Sequence, residues 1–130
     1  MATWADVTRL ATRLPEVVED SRTTTIAWRI RTKAIAWERP LRPGDRAALG
    51  AAAPDGPILA VRVPDEGVKQ ALVADEPEVF FTTPHFRGYP AVLIRLEAIG
   101  EEELGEMLTE AWLVLAPKKL VRAFEEQAQA

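Results

Sequence analysis

Residues 23–38 read TTTIAWRIRTKAIAWE, and the fold turns on how that stretch is paired. Residues 23–30 are β-branched and aromatic, a composition that suits a pleated, half-buried surface. Ile26, Trp28 and Ile30 alternate with Ala27, Arg29 and Arg31; beyond Thr32 and Lys33, Ile35 and Trp37 alternate with Ala34, Ala36 and Glu38. Period-two alternation marks strands with one buried face, and two such runs this close in sequence predict an antiparallel hairpin. A turn at Thr32 and Lys33 would oppose Ile30 to Ile35 and Trp28 to Trp37. All four large apolar residues would then share one face, each cross-strand pair contributing roughly 0.2–1 kcal/mol. Neither turn residue is the Gly or Asn that two-residue hairpin loops favour, so a longer loop is also compatible with the pattern.

Upstream, Thr3 is a suitable helix N-cap with Asp6 three residues on. Val7, Leu10, Ala11 and Leu14 then recur on one helical face until Pro15. Residues 15–20 read as an acidic connection. Downstream, residues 39–57 are rich in Pro, Gly and Ala, with a helical turn over 45–49. Residues 58–63 form a third strand, and Asp65 caps a short helix with Val68, Ala71 and Leu72 inward. Residues 79–82 and 91–96 supply two more strands. Gly100 precedes a helix over 101–115 with Leu104, Leu108, Ala111, Trp112 and Leu115 on one face. Pro117 opens a last helix, docked by Leu120, Val121 and Phe124 and fraying over 125–130. The fold class is therefore α+β: a two-layer sandwich in α-β(3)-α-β(2)-α(α) order, with a mostly antiparallel five-stranded sheet.

At 130 residues the chain is expected to form one domain, residues 1–130. It has no cysteine and one histidine, which excludes disulfides and the usual zinc sets. No apolar run is long enough to span a membrane and no signal pattern opens the chain, so a cytoplasmic protein is expected. The net charge of −4 argues against a general nucleic-acid binder, but the charge is uneven. Residues 21–53 carry seven basic side chains (Arg22, Arg29, Arg31, Lys33, Arg39, Arg42, Arg46) against Glu38 and Asp45, a local +5 that acidic stretches elsewhere offset.

Several segments carry a family resemblance: residues 36–41 (AWERPL), the turn at 53–57, residues 81–93 (FTTPHFRGYPAVL), and Ala111-Trp112-Leu113 with Ala116-Pro117-Lys118. Together they resemble the MmcQ/YjbR family over nearly the whole chain, most specifically at His85-Phe86-x-Gly88-Tyr89-Pro90. The resemblance implies an α-β(3)-α-β(2)-α topology similar to frataxin and secretion chaperones. It also implies a small binding module of a family commonly called DNA-binding, from a wing-like surface. It supplies no catalytic residues.

Three features carry the candidate chemistry. The basic hairpin places Arg29, Arg31 and Lys33 along one strand and its turn, with Arg39 and Arg42 beyond, as contacts to double-stranded DNA through its phosphates. Such arginines are equally a solvated strand face whose charge discourages edge pairing. The loop at 84–90 holds the chain's only histidine and only tyrosine. Here His85, Arg87 and Tyr89, with Trp28 and Trp37, are candidates to bind a small molecule or protein partner. The alternative for this loop is a structural clasp in which Pro84, Gly88 and Pro90 fix the backbone, Phe86 and Tyr89 plug the core, and His85 bonds a carbonyl. No nucleophile or carboxylate partner accompanies His85, so no enzyme is expected, nor a cofactor or a metal. The expected state is a monomer or weak dimer.

Overall fold

Thr3 caps the first helix as its side chain predicts. Its Oγ1 accepts the Asp6 N–H at 3.2 Å, and Asp6 accepts the Thr3 N–H at 2.9 Å in return. From this start the computed structural model describes residues 1–129, with side chains through Gln127. The elements are α1 (Trp4–Ala11), β1 (Val17–Asp20), β2 (Ala27–Ile30), β3 (Lys33–Glu38), α2 (Pro43–Leu49), β4 (Ile58–Arg62), α3 (Glu66–Asp75), β5 (Phe80–Phe81), β6 (Ala91–Arg95), α4 (Glu101–Leu115) and α5 (Lys118–Gln129). The strands form one antiparallel sheet in the order β1-β2-β3-β4-β6-β5.

The α+β class stands, with six strands where five were expected. The extra one, β1, lies in the segment read as a connection. Its sequence is VVED, and only Val17 is buried. A short, charged edge strand carries almost no apolar period, which is how edges avoid further pairing. The last helix runs on through Gln129 where fraying was expected from 125 onward, and Ala130 lies outside the described residues.

The hairpin exists, but its register differs from the alternation argument. Ile30 opposes Lys33 and Trp28 opposes Ala36, so the two-residue turn is Arg31 and Thr32, one residue earlier than expected. Arg31 takes a left-handed backbone (φ 58°), a strained choice of about 1 kcal/mol for a side chain other than Gly or Asn. The ladder then slips between Trp28 and Arg29, where Ile35 is the extra residue of a β-bulge. Ile35 and Ala36 consequently both point to the helix-covered face, and both are fully buried. Past the bulge the alternation is inverted, so Trp37 emerges on the opposite face from Trp28.

Two cores follow from the two sheet faces. On the first face, Trp28, Ile30, Leu59, Val61, Val92 and Ile94 meet α1 and α4. Phe124 of α5 packs on the Trp112 ring, 5.0 Å between centroids. On the second face, Ile58, Ala60, Phe81, Ala91 and Leu93 are covered by Phe86 and flanked by Leu41 and Leu49. That cover reaches only the β4-β6-β5 half. The outer face of β2 and β3 stays open, and the candidate site lies there.

Candidate functional site

The basic run of the sequence is largely neutralised in three dimensions. Five of its seven cations face carboxylates. Arg22 and Arg29 share Asp20 (2.9 and 3.0 Å), Arg31 faces Glu16 (3.1 Å), Arg39 faces Asp45 (3.0 Å) and Arg46 faces Asp55 (3.5 Å). Glu16, Asp20 and Asp55 sit just outside the stretch whose charge was counted, so a window along the chain cannot see them. The exposed pairs are each worth little and yield to salt. Asp20 is nonetheless held well below the usual carboxylate range, first by the side-chain and backbone hydrogen bonds of Arg22 and then by Arg29.

Arg39, expected as a phosphate contact, is instead a core residue, 6 % exposed like its partner Asp45. Its guanidinium lies over the Phe86 ring, 5.3 Å from the centroid. Its Nη2 faces Asp45 without hydrogen-bond geometry. Burial alone would raise the Asp45 pKa. The Arg42 backbone N–H, donating at 2.9 Å, and the Arg39 charge outweigh burial and hold the pKa below its ordinary value. Lys33 and Arg42 are the two cations of the run that enter no ion pair among the described residues.

The tryptophan candidates separate. Trp28, a groove candidate whose alternative was core packing, takes the alternative: it is fully buried on the helix face, stacked on Trp4 at 6.1 Å, with its indole N–H donating to Thr8 Oγ1 at 3.1 Å. Trp37, turned by the bulge, stands on the open face edge-on to Tyr89, with ring centroids 6.5 Å apart. Tyr89, expected in part as a core plug, is 45 % exposed; Phe86 does plug the second core at 4 %. His85 is exposed and makes no hydrogen bond to protein among the described residues, so the expected carbonyl bond is absent. Arg87 is exposed too, and lines neither of the clefts beside Trp37.

The loop that carries these residues is held from behind by a residue the sequence reading passed over. Lys69 of α3 is fully buried, and its Nζ donates to the carbonyls of Phe86 and Tyr89, both at 2.8 Å, beside Glu66 Oε2 at 2.9 Å. Val68 and Ala71, expected inward, are exposed. The inward stripe is Lys69, Leu72 and Val73, and lysine is seldom buried. Gly88 supplies the left-handed φ of 77° that lets the loop double back to present Tyr89.

Two clefts flank the Trp37–Tyr89 pair. One, about 580 Å³, includes Glu38, Arg42 and His85. The other, about 810 Å³, includes Arg29, Lys33 and Arg62 over a floor containing Ala27 and Ala34. Both sizes suit small-molecule sites. Residues from the hairpin and the loop, distant in sequence, thus meet on one surface. Arg62 was not anticipated, although period two from Ile58 and Ala60 places it on this face.

Comparison with known proteins places these observations. The family model described as YjbR matches residues 12–114. An uncharacterized protein of Mycobacterium bovis and one of Mycobacterium tuberculosis are each 57 % identical over 127 residues, covering 95 % of this chain and 96 % of their own. The crystal structure of a Deinococcus radiodurans protein with a DUF419 domain is similar with a TM-score of 0.65 and 19 % identity, covering 98 % of this chain and 88 % of that one. At that identity the likeness speaks for the fold alone. Among the described residues no helix is long and apolar enough to cross a membrane.

Proposed function

The chain belongs to the YjbR family, and from that premise we propose that it is a cytoplasmic binding module, not an enzyme, whose working surface is the open sheet face around Trp37 and Tyr89. Its ligand is a compact molecule lying in the clefts beside that ring pair. One observation carries this reading: Trp37, Tyr89, Lys33 and His85, drawn from two separate stretches, line adjoining clefts, while Arg31 faces Glu16 away from them and Arg39, in the wall of the smaller cleft, faces Asp45. The open face offers apolar floor, aromatic walls and a few charges, the mixture typical of small-ligand sites. His85 has no hydrogen-bonded carboxylate among the described residues, which supports binding over catalysis.

Duplex DNA on the hairpin is the second reading, favoured by Arg29 and Lys33 lining one exposed cleft. A single titration series separates the two. Duplex DNA added at about 50 mM salt, where phosphate contacts are strongest, is expected to give no saturable binding. A fragment screen followed by NMR mapping is expected to place its hits at the Trp37 indole and the Tyr89 ring, with Trp37→Leu abolishing them. Saturable duplex binding that weakens steeply with salt and maps to Arg31, Lys33 and Arg42 would overturn the proposal in favour of DNA.

A further inference from the structure

The larger cleft has a chemical polarity that names its ligand class, an inference resting on the small-ligand reading above. Arg29, Lys33 and Arg62 are its charged lining residues, and no carboxylate joins them there. Arg29 is already engaged by Asp20 at 3.0 Å. Arg62 is not: its guanidinium enters no ion pair among the described residues, and its Nε is buried without a hydrogen-bond partner. A guanidinium that enters no ion pair leaves its outward N–H groups to meet an acceptor from the cleft it lines. It is steadied over the Tyr89 ring, 5.9 Å from the centroid.

The remaining surface is flat. Ala27 pairs with Trp37 and Ala34 with Arg29 across the hairpin, so two methyl groups form the floor beside the indole. Val114 and Leu115, at the end of α4, close the apolar side. A planar ring laid on that floor meets aromatic edges at Trp37 and Tyr89, with a cationic end at Lys33 and Arg62. The geometry points to a planar aromatic ligand bearing an oxyanion, phosphate or carboxylate, with the ring beside Trp37 and the oxyanion on Arg62 and Lys33. The fork of Arg62 suits either oxyanion.

The test is a matched panel followed by heteronuclear NMR of the Trp37 indole N–H and the Arg62 Nε–H. Nucleoside monophosphates and naphthalene and indole carboxylates are titrated beside their uncharged parents and inorganic phosphate, each to about 10 mM, a range in which fragment-sized ligands register. At least one aromatic oxyanion is expected to move both signals, with its parent and free phosphate at least tenfold weaker. Arg62→Gln should weaken binding about ten- to hundredfold, the worth of a charged hydrogen bond. Lys33→Gln, at an exposed residue, should weaken it less and supplies a second variant if the first is unstable. Equal binding of uncharged parents, or no effect of either variant, overturns the oxyanion assignment and leaves the small-ligand reading standing. Failure of every panel member to move the Trp37 indole overturns the assignment, and with duplex binding at the hairpin it overturns the small-ligand reading as well.

Discussion

Lys69→Met is the substitution that most directly tests how the site is held. Nζ of Lys69 has no exposure and touches three oxygens: the Phe86 and Tyr89 carbonyls at 2.8 Å and Glu66 Oε2 at 2.9 Å. Burying an ammonium costs several kcal/mol, which its charge-assisted bonds, about 1.5–3 kcal/mol each, recover. Methionine is nearly as long and removes both sides of that balance. The carbonyls are not orphaned, because Phe86 O keeps the Tyr89 N–H at 3.0 Å and Tyr89 O keeps the Ala91 N–H at 2.8 Å. Glu66 Oε1 keeps the Gln70 amide at 3.1 Å. The net cost is therefore about 1–2 kcal/mol, far below the sum of the bonds, and Tm should fall by roughly 5 °C. Lys69→Ala adds an unfilled cavity and about 2 kcal/mol more. Urea denaturation gives the global value from the midpoint at constant slope. Amide exchange at residues 84–90 gives the local one, with Phe86 and Tyr89 expected to open more readily in Lys69→Met. A variant as stable as the parent, or one that loses stability with no change in that loop, would refute the clasp.

Two further substitutions probe buried and paired charge. Asp45→Asn keeps an acceptor for the Arg42 N–H but strands the buried Arg39 guanidinium, an expected loss of about 3 kcal/mol by denaturant titration at neutral pH. Because the folded Asp45 pKa lies below 3.8, its contribution is present above that value and lost as pH falls through the lowered one, so the variant should flatten the acid limb of the stability curve. Glu103 behaves oppositely: a hydrogen bond with Glu76, then burial and the charges of Glu76, Glu106 and Glu78, push its pKa up to about 7. Its contribution is present below 4.5 and lost as pH rises to about 7. After solvent screening it is worth about 1 kcal/mol, and Glu103→Gln should abolish that decline in a Tm-against-pH series.

What the sequence made legible was whatever announces itself by period or cap. The Thr3 cap, the Asp65 cap on α3 and the bounds of α4 all follow from local chemistry and are as expected. The parts missed have no local signal. β1 is a charged edge with one buried residue, Lys69 is a polar letter on an apolar stripe, and the carboxylates that neutralise the basic hairpin lie outside its window. The candidate site was half legible for the same reason. Its loop residues stood out by rarity, whereas Arg62 is one ordinary letter whose role depends on which face it takes.

That dependence on face makes the bulge at Ile35 the decisive local feature of the molecule. In a regular hairpin Trp37 would pair with Trp28 and enter the first core, where both rings would compete for the space α1 and α4 already fill. One extra residue sends Ile35 and Ala36 together into that core, and every later position of β3 changes sides. Trp37 then reaches the face that Tyr89 overlooks from a loop pinned by Lys69. Bulge and clasp are independent in sequence and converge on one ring pair. An inserted residue and a buried ammonium thus together present two rings on the open face, the arrangement on which the proposed small-ligand site rests.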